Sequence, residues 1–227
     1  MNRLSAAEPN ETIEVRRLQV EEAPQFAALQ RRVFPDFNSS KLGQGFCTAL
    51  YRVYALRADA YGFGAWRGAA LLGLFIACHR DVEAEIQRSL RGRALLALLL
   101  RPHLLCNRAV VARGLRVVRR RCGAHAEAPV DETCIRFITM GVAPEARRLG
   151  LATRLSEATQ AEALRRGFRF AEAWVYATNH VTRRHWEKMG WVAGVEPPGG
   201  RGAVRYLGAL RRTASANAAA GGQGAMS

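Results

Sequence analysis

Two kinds of apolar spacing alternate along the chain. Residues 12–18 set Ile13, Val15 and Leu18 among polar positions, the near-alternation of a half-covered strand. Residues 21–34 carry Ala23, Phe26, Ala27 and Val33 at helical spacing, and the run from Pro35 to Ser40 is rich in chain-breaking residues. A second helix is predicted over 42–56, through Phe46, Leu50, Tyr51, Val53 and Tyr54. A hairpin follows, with strands at 61–66 and 70–79 turning at Arg67-Gly68. Its second strand is apolar on both faces (Leu71, Leu72, Leu74, Phe75, Ile76), as in a buried central strand. Further strands are predicted at 133–139, 170–176, 190–195 and 203–210, the last two joined by the loop at 197–200.

Two more helices lie among these strands. One begins at Leu151, with Leu155 and Ala158 on the same face. Gly167 stops it as a C′ residue, and Arg165 and Arg166 sit favourably in its last turn. A short one runs through Trp186 to Met189. This α/β order predicts one domain over 12–210, a flexible lead-in at 1–11 and a disordered Ala-, Gly- and Ser-rich tail at 211–227.

The stretch that departs from this pattern is a helical insertion at about 81–128. Between 88 and 121 it holds ten arginines and no acidic residue. Pro102 splits it into a leucine-rich helix (Leu95, Leu96, Leu98, Leu99, Leu100) and a second one with Leu104, Val111, Leu115 and Val118 along one face. The expected arrangement packs the apolar faces on the domain and leaves the arginines in water. The sharper reading is a basic surface for anionic lipid headgroups or a phosphate-bearing substrate. The net charge of +15 would also suit nucleic acid, but no nucleic-acid module accompanies it.

The remaining composition excludes other classes. No apolar run is long enough for a membrane span, and the first residues lack the apolar core of a signal peptide. The five cysteines (47, 78, 106, 122 and 134) show no metal spacing and are odd in number, which points to reduced thiols in a cytoplasmic protein. No metal is expected.

Candidate chemistry centres on Met140-Gly-Val-Ala-Pro-Glu-Ala-Arg-Arg-Leu-Gly-Leu-Ala152, a tight loop between the strand at 133–139 and the helix at 151. Gly150 and Ala152 keep bulk away from the backbone. First-turn N–H groups point outward at the positive end of the helix dipole, a setting suited to a pyrophosphate, and Arg147 and Arg148 add charge at the rim.

Val142-x-Pro-x-x-Arg147-Arg-x-Gly150-x-Ala152, then Val175-x-x-x-Asn179, then Trp186-Glu-Lys-x-Gly190-Trp191 resemble, in that order, the GNAT superfamily of acyl-CoA-dependent N-acyltransferases. The resemblance implies a mixed, mostly antiparallel sheet of about seven strands flanked by helices, with the insertion added before the central strand. It implies acetyl-CoA as acyl donor, its pyrophosphate cradled by Arg147, Arg148, Leu149, Gly150, Leu151, Ala152 and Thr153. The backbone of Met140 and Val142 would pair with the pantetheine arm, and Asn179 would touch that arm. Phe34-Pro35, Leu42-Gly43 and Tyr51 resemble a subgroup associated with surface-polysaccharide biosynthesis.

The expected reaction moves an acetyl group to the primary amine of a small, anionic acceptor, such as an amino sugar or a nucleotide-linked amine. The alternatives are a longer-chain acyltransferase, with the leucines sheltering the chain, or a non-catalytic CoA-binding module at the inner membrane surface. In this superfamily a backbone N–H, here that of Val142 or a neighbour, holds the thioester carbonyl. Trp186 occupies the place where a tyrosine often protonates the thiolate, and an indole N–H is a poor acid. Arg136 and Ile138 stand where acidic or histidine bases occur. Arg136 is therefore either a substrate-binding or an ion-pairing residue. Glu132 lies about 30 Å along an extended strand from Val142, too far for a base. His185 faces about 100° away from Trp186 and is expected at the surface. Tyr51, Tyr54 and Tyr176 read as core residues before catalytic ones, so no acid or base is assigned.

Overall fold

The computed structural model describes residues 12–100, 133–194 and 202–211. Its strands are β1 (Ile13–Arg17), β2 (Ala60–Arg67), β3 (Ala70–His79), β4 (Cys134–Val142), β5 (Phe170–Tyr176), β6 (Val192–Ala193) and β7 (Ala203–Ala209). Its helices are α1 (Ala23–Val33), α2 (Asn38–Lys41), α3 (Gln44–Leu56), α4 (Arg80–Ser89), α5 (Arg91–Leu99), α6 (Leu151–Arg165) and α7 (His180–Lys188). The strands form one seven-stranded sheet in the order β1-β2-β3-β4-β5-β7-β6. Every neighbouring pair is antiparallel except β4 and β5. The mixed, mostly antiparallel sheet and its flanking helices are those expected.

The all-apolar run in β3 is buried at every position from 71 to 78, because helices cover both faces there. On one face Leu155 of α6 packs where a side chain at Gly73 would stand, and Trp186 of α7 lies beside Phe75. On the other, Phe34 at the end of α1 lies over Gly141. Gly141 is the cross-strand partner of Leu74, so the two glycines face opposite ways.

Several boundaries differ from the sequence pattern. Gly43 has φ +95°, which keeps α3 from starting at Leu42, and the stretch expected only to break the chain contains the single turn α2. β4 continues to Val142, three residues beyond its expected end, because β3 goes on pairing with it. β6 is only two residues long. The end of α6 follows the expectation closely. The Phe168 N–H bonds to the Ala163 carbonyl and the Gly167 N–H to that of Leu164, with Gly167 at φ +90°, a Schellman motif.

The first part of the insertion belongs to the core. Val82, Ile86 and Leu90 recur at four-residue steps along α4 and are all buried. α5 behaves differently from the expected packing: Leu95, Leu96, Leu99 and Leu100 are 56–74% exposed. The second predicted helix, the 197–200 loop, the lead-in and most of the tail lie outside the described residues.

Candidate active site

β4 and β5 run together only from Cys134↔Phe170 to Phe137↔Ala173 and then separate. At that point β4 also carries a bulge. Ile76 pairs with Thr139 and Ala77 with Phe137, leaving Ile138 without a partner on β3. A bulge bends its strand and increases its twist. The result is a cleft between the diverging strands, open to solvent and floored by Phe75 and Phe137.

Among the described residues, the backbone along one edge of this cleft has no strand partner. The Ala143 N–H donates to the Leu72 carbonyl, so residue 143 points its amide toward β3. By strand alternation the N–H and C=O groups of Val142 and Met140 point the other way, into the gap left by β5. Unpaired backbone groups of this kind demand a partner. An extended ligand lying in the cleft would supply one.

At the end of β4 the chain passes through Pro144–Ala146 into the glycine loop. Arg148 (φ +68°) and Gly150 (φ +70°) both adopt the left-handed conformation, which makes the turn into α6 abrupt. The Arg154 N–H bonds to the Gly150 carbonyl, so the amides before it belong to the uncommitted first turn. Arg147, Arg148, Leu149 and Gly150 are exposed, Thr153 is exposed and Ala152 half-buried, while Leu151 anchors the turn in the core. Nothing stands within 4 Å of a side chain placed on Gly150, which leaves that approach open.

Asn179 sits at the far side of the cleft as the N-cap of α7. Its side-chain oxygen accepts the Thr182 N–H at 3.1 Å. Capping therefore uses its acceptor, and the amide NH₂ remains to meet a ligand.

Trp186 is 2% exposed, stacks on Trp191 at 4.4 Å between ring centres and lines the cleft. Among the described residues its indole N–H has no hydrogen-bond partner. Its neighbour His185 is not the surface residue expected. Its Nε2 lies 3.0 Å from Ser156 Oγ, in the seam between α6 and α7, and Ser156 in turn touches the Met140 sulfur. Burial, with a smaller contribution from Lys188, lowers the His185 pKa.

The geometry decides between the two readings of Arg136. Its Nε donates to Glu172 at 2.6 Å and its Nη1 to Glu83 at 2.9 Å. Glu172 is 1% exposed and also accepts from Arg205. Both edges of the guanidinium are thus committed within the protein, and Arg136 does not line the cleft. Tyr51 donates to Gln30 within the core and Tyr54 is buried beside it; burial raises both pKa values. Of the three candidate tyrosines only Tyr176 reaches the cleft wall.

Splayed central strands beside an amide-rich helix start leave room for an extended ligand with an anionic end. The family model described as Acetyltransferase (GNAT) family matches residues 112–191. No curated protein gives a match. Solved structures of the same fold include a putative GNAT-family acetyltransferase from Desulfovibrio desulfuricans, 12% identical with TM-score 0.58, covering 88% of this chain and 100% of that one. PaiA N-acetyltransferase of Thermoplasma acidophilum, solved with coenzyme A, is 11% identical with TM-score 0.55, covering 87% and 99%. The ribosomal-protein-S18-alanine N-acetyltransferase of Escherichia coli is 13% identical with TM-score 0.54, covering 89% and 96%. Identities this low speak for the shared fold. The family match spans the loop and most of the cleft, so residues 112–191 are the part of the chain similar to GNAT acetyltransferases in sequence.

Proposed function

We propose that the protein transfers an acetyl group from acetyl-CoA to a primary amine. The observation that carries this reading is the unpartnered backbone edge at Met140 and Val142, continuous with the open amides of the Arg147–Thr153 loop. The loop amides, with Arg147 and Arg148 at the rim, would hold the pyrophosphate. The 140–142 edge would hold the pantetheine arm as an added strand, and the Asn179 amide would touch it from the opposite side. The Val142 N–H then faces the place where the thioester carbonyl lies and stabilises charge developing there.

Among the described residues no carboxylate or histidine lines the cleft, which leaves proximity and water to handle the amine proton. No leucine of α5 lines it either, which gives a long acyl chain no described shelter. Calorimetric titration with acetyl-CoA and a long-chain acyl-CoA tests the reading. Micromolar binding of acetyl-CoA supports it; preference for the long chain, or binding of neither, overturns it.

A second reading concerns location, and the exposed leucines of α5 favour it. Leu95, Leu96, Leu99 and Leu100 stand beside Arg91 and Arg93, an apolar strip flanked by cations that fits an anionic bilayer surface. Among the described residues no helix is long and apolar enough to cross a membrane, so the contact would be peripheral. Sedimentation with anionic but not zwitterionic vesicles is the expected result, and absence of both removes this reading.

A further inference from the structure

The cleft has two walls of different chemistry. The register Phe137↔Ala173 puts both residues on the α7 face, where Phe137 meets Trp186 at 5.9 Å. Alternation along β5 then sends Val175 to that same face and Trp174 and Tyr176 to the opposite one. There the end of α1 supplies Phe34, which lies over Gly141, and the start of α2 supplies Phe37, stacked on Phe34 at 4.6 Å with 16° between the rings.

The α6 start, proposed above to hold the donor's pyrophosphate, belongs to the α7 face, because α6 packs against Gly73. Two substrates that meet at one carbonyl approach it from different sides. The acceptor side is therefore the α1 face, walled by Phe34, Phe37, Trp174 and Tyr176.

Charge selects further. Among the described residues, no Asp, Glu, His, Lys or Arg lines the cleft. Arg205, the cross-strand partner of Trp174, donates to Glu172 and does not line the cleft, so among the described lining residues a phosphate-bearing amine would find no cation and a polyamine no carboxylate; leaving such charges unpaired in a desolvated cleft is costly. Four aromatic side chains instead offer flat apolar faces, which favour stacking with a ring, and their π-electrons tolerate one ammonium. Trp174 and Tyr176 are 41% and 54% exposed, so much of this surface is free to be covered.

We propose that the acceptor is a primary amine carried on an aromatic ring, an arylalkylamine, with the ring held by Phe34, Phe37, Trp174 and Tyr176. This rests on the acetyl-CoA reading above. In the step, the amine nitrogen bonds to the acetyl carbonyl carbon and the thioester C–S bond breaks. The amine proton passes to the departing sulfur, giving an N-acetyl amide and CoA thiol.

The test follows CoA-thiol release by the full-length protein with acetyl-CoA and four amines: tryptamine, 2-phenylethylamine, glucosamine 6-phosphate and spermidine. The expected result is at least about tenfold higher kcat/KM for the two aromatic amines. Phe37→Ala should raise KM for tryptamine about tenfold, with the calorimetric Kd for acetyl-CoA unchanged. Preference for the amino sugar or polyamine overturns the proposal. So does binding of acetyl-CoA with no turnover of any aromatic amine, or an unchanged tryptamine KM in a Phe37→Ala protein that still melts cooperatively. Failure to bind acetyl-CoA at all would overturn the donor assignment and this proposal with it.

Discussion

Arg136 and Glu172 face each other across the β4–β5 pairing, with guanidinium and carboxylate 2.6 Å apart one pair before the strands diverge. The ion pair clamps the base of the cleft. Glu172 is 1% exposed, and although Arg205 also reaches it, the Arg205 side chain is 36% exposed against 15% for Arg136. Arg136→Ala would leave both Glu172 and Glu83 short of a partner. A loss of about 3 kcal/mol in unfolding free energy is expected, measured by denaturant titration. A loss under about 1 kcal/mol would show that Arg205 alone suffices.

Gly150 gives the sharpest test of the loop. Its φ of +70° strains any L residue, yet its surroundings are open. Gly150→Ala should therefore cost about 1 kcal/mol of stability with acetyl-CoA still bound. Gly150→Glu adds a negative charge at the proposed pyrophosphate position and should abolish binding. Equal affinity in the two variants would remove the loop from the site.

How much of this was legible in the sequence depends on where each residue's partners lie. Gly167 acts through neighbours within a few residues, and the pattern located it. Arg136 could not be decided, because Glu83 and Glu172 stand 53 and 36 positions away. His185 was assigned to the surface because Ser156, its partner, lies on another helix. The bulge at Ile138 leaves no composition signal at all, since it arises from how β3 and β4 pair. The aromatic wall was equally hidden: Phe34 and Phe37 are close in sequence, but only the divergence of β5 brings Trp174 and Tyr176 opposite them.

The insertion divides at Leu90. Removing residues 91–128 with a short linker should leave a folded protein that binds acetyl-CoA, because α5 exposes its leucines. Removing 80–128 takes away Val82, Ile86 and Leu90 from the core and Glu83 from Arg136, and should lower the melting temperature sharply or prevent folding. Thermal melts of the two variants separate these outcomes; equal stability would mean that α4 is dispensable.

His185 makes stability depend on pH. Burial holds its pKa below the ordinary value of about 6.5, so in mild acid the unfolded chain binds a proton more readily than the folded one. Its contribution is fully present above that ordinary value and is lost as pH falls through the lowered folded pKa. Replacement by glutamine keeps a polar group near Ser156 without a titrating ring. Between pH 7.5 and 5 the melting temperature of the native protein should fall further than that of His185→Gln. Parallel curves would mean that the His185–Ser156 contact opens to solvent and the ring titrates as it does in the unfolded chain.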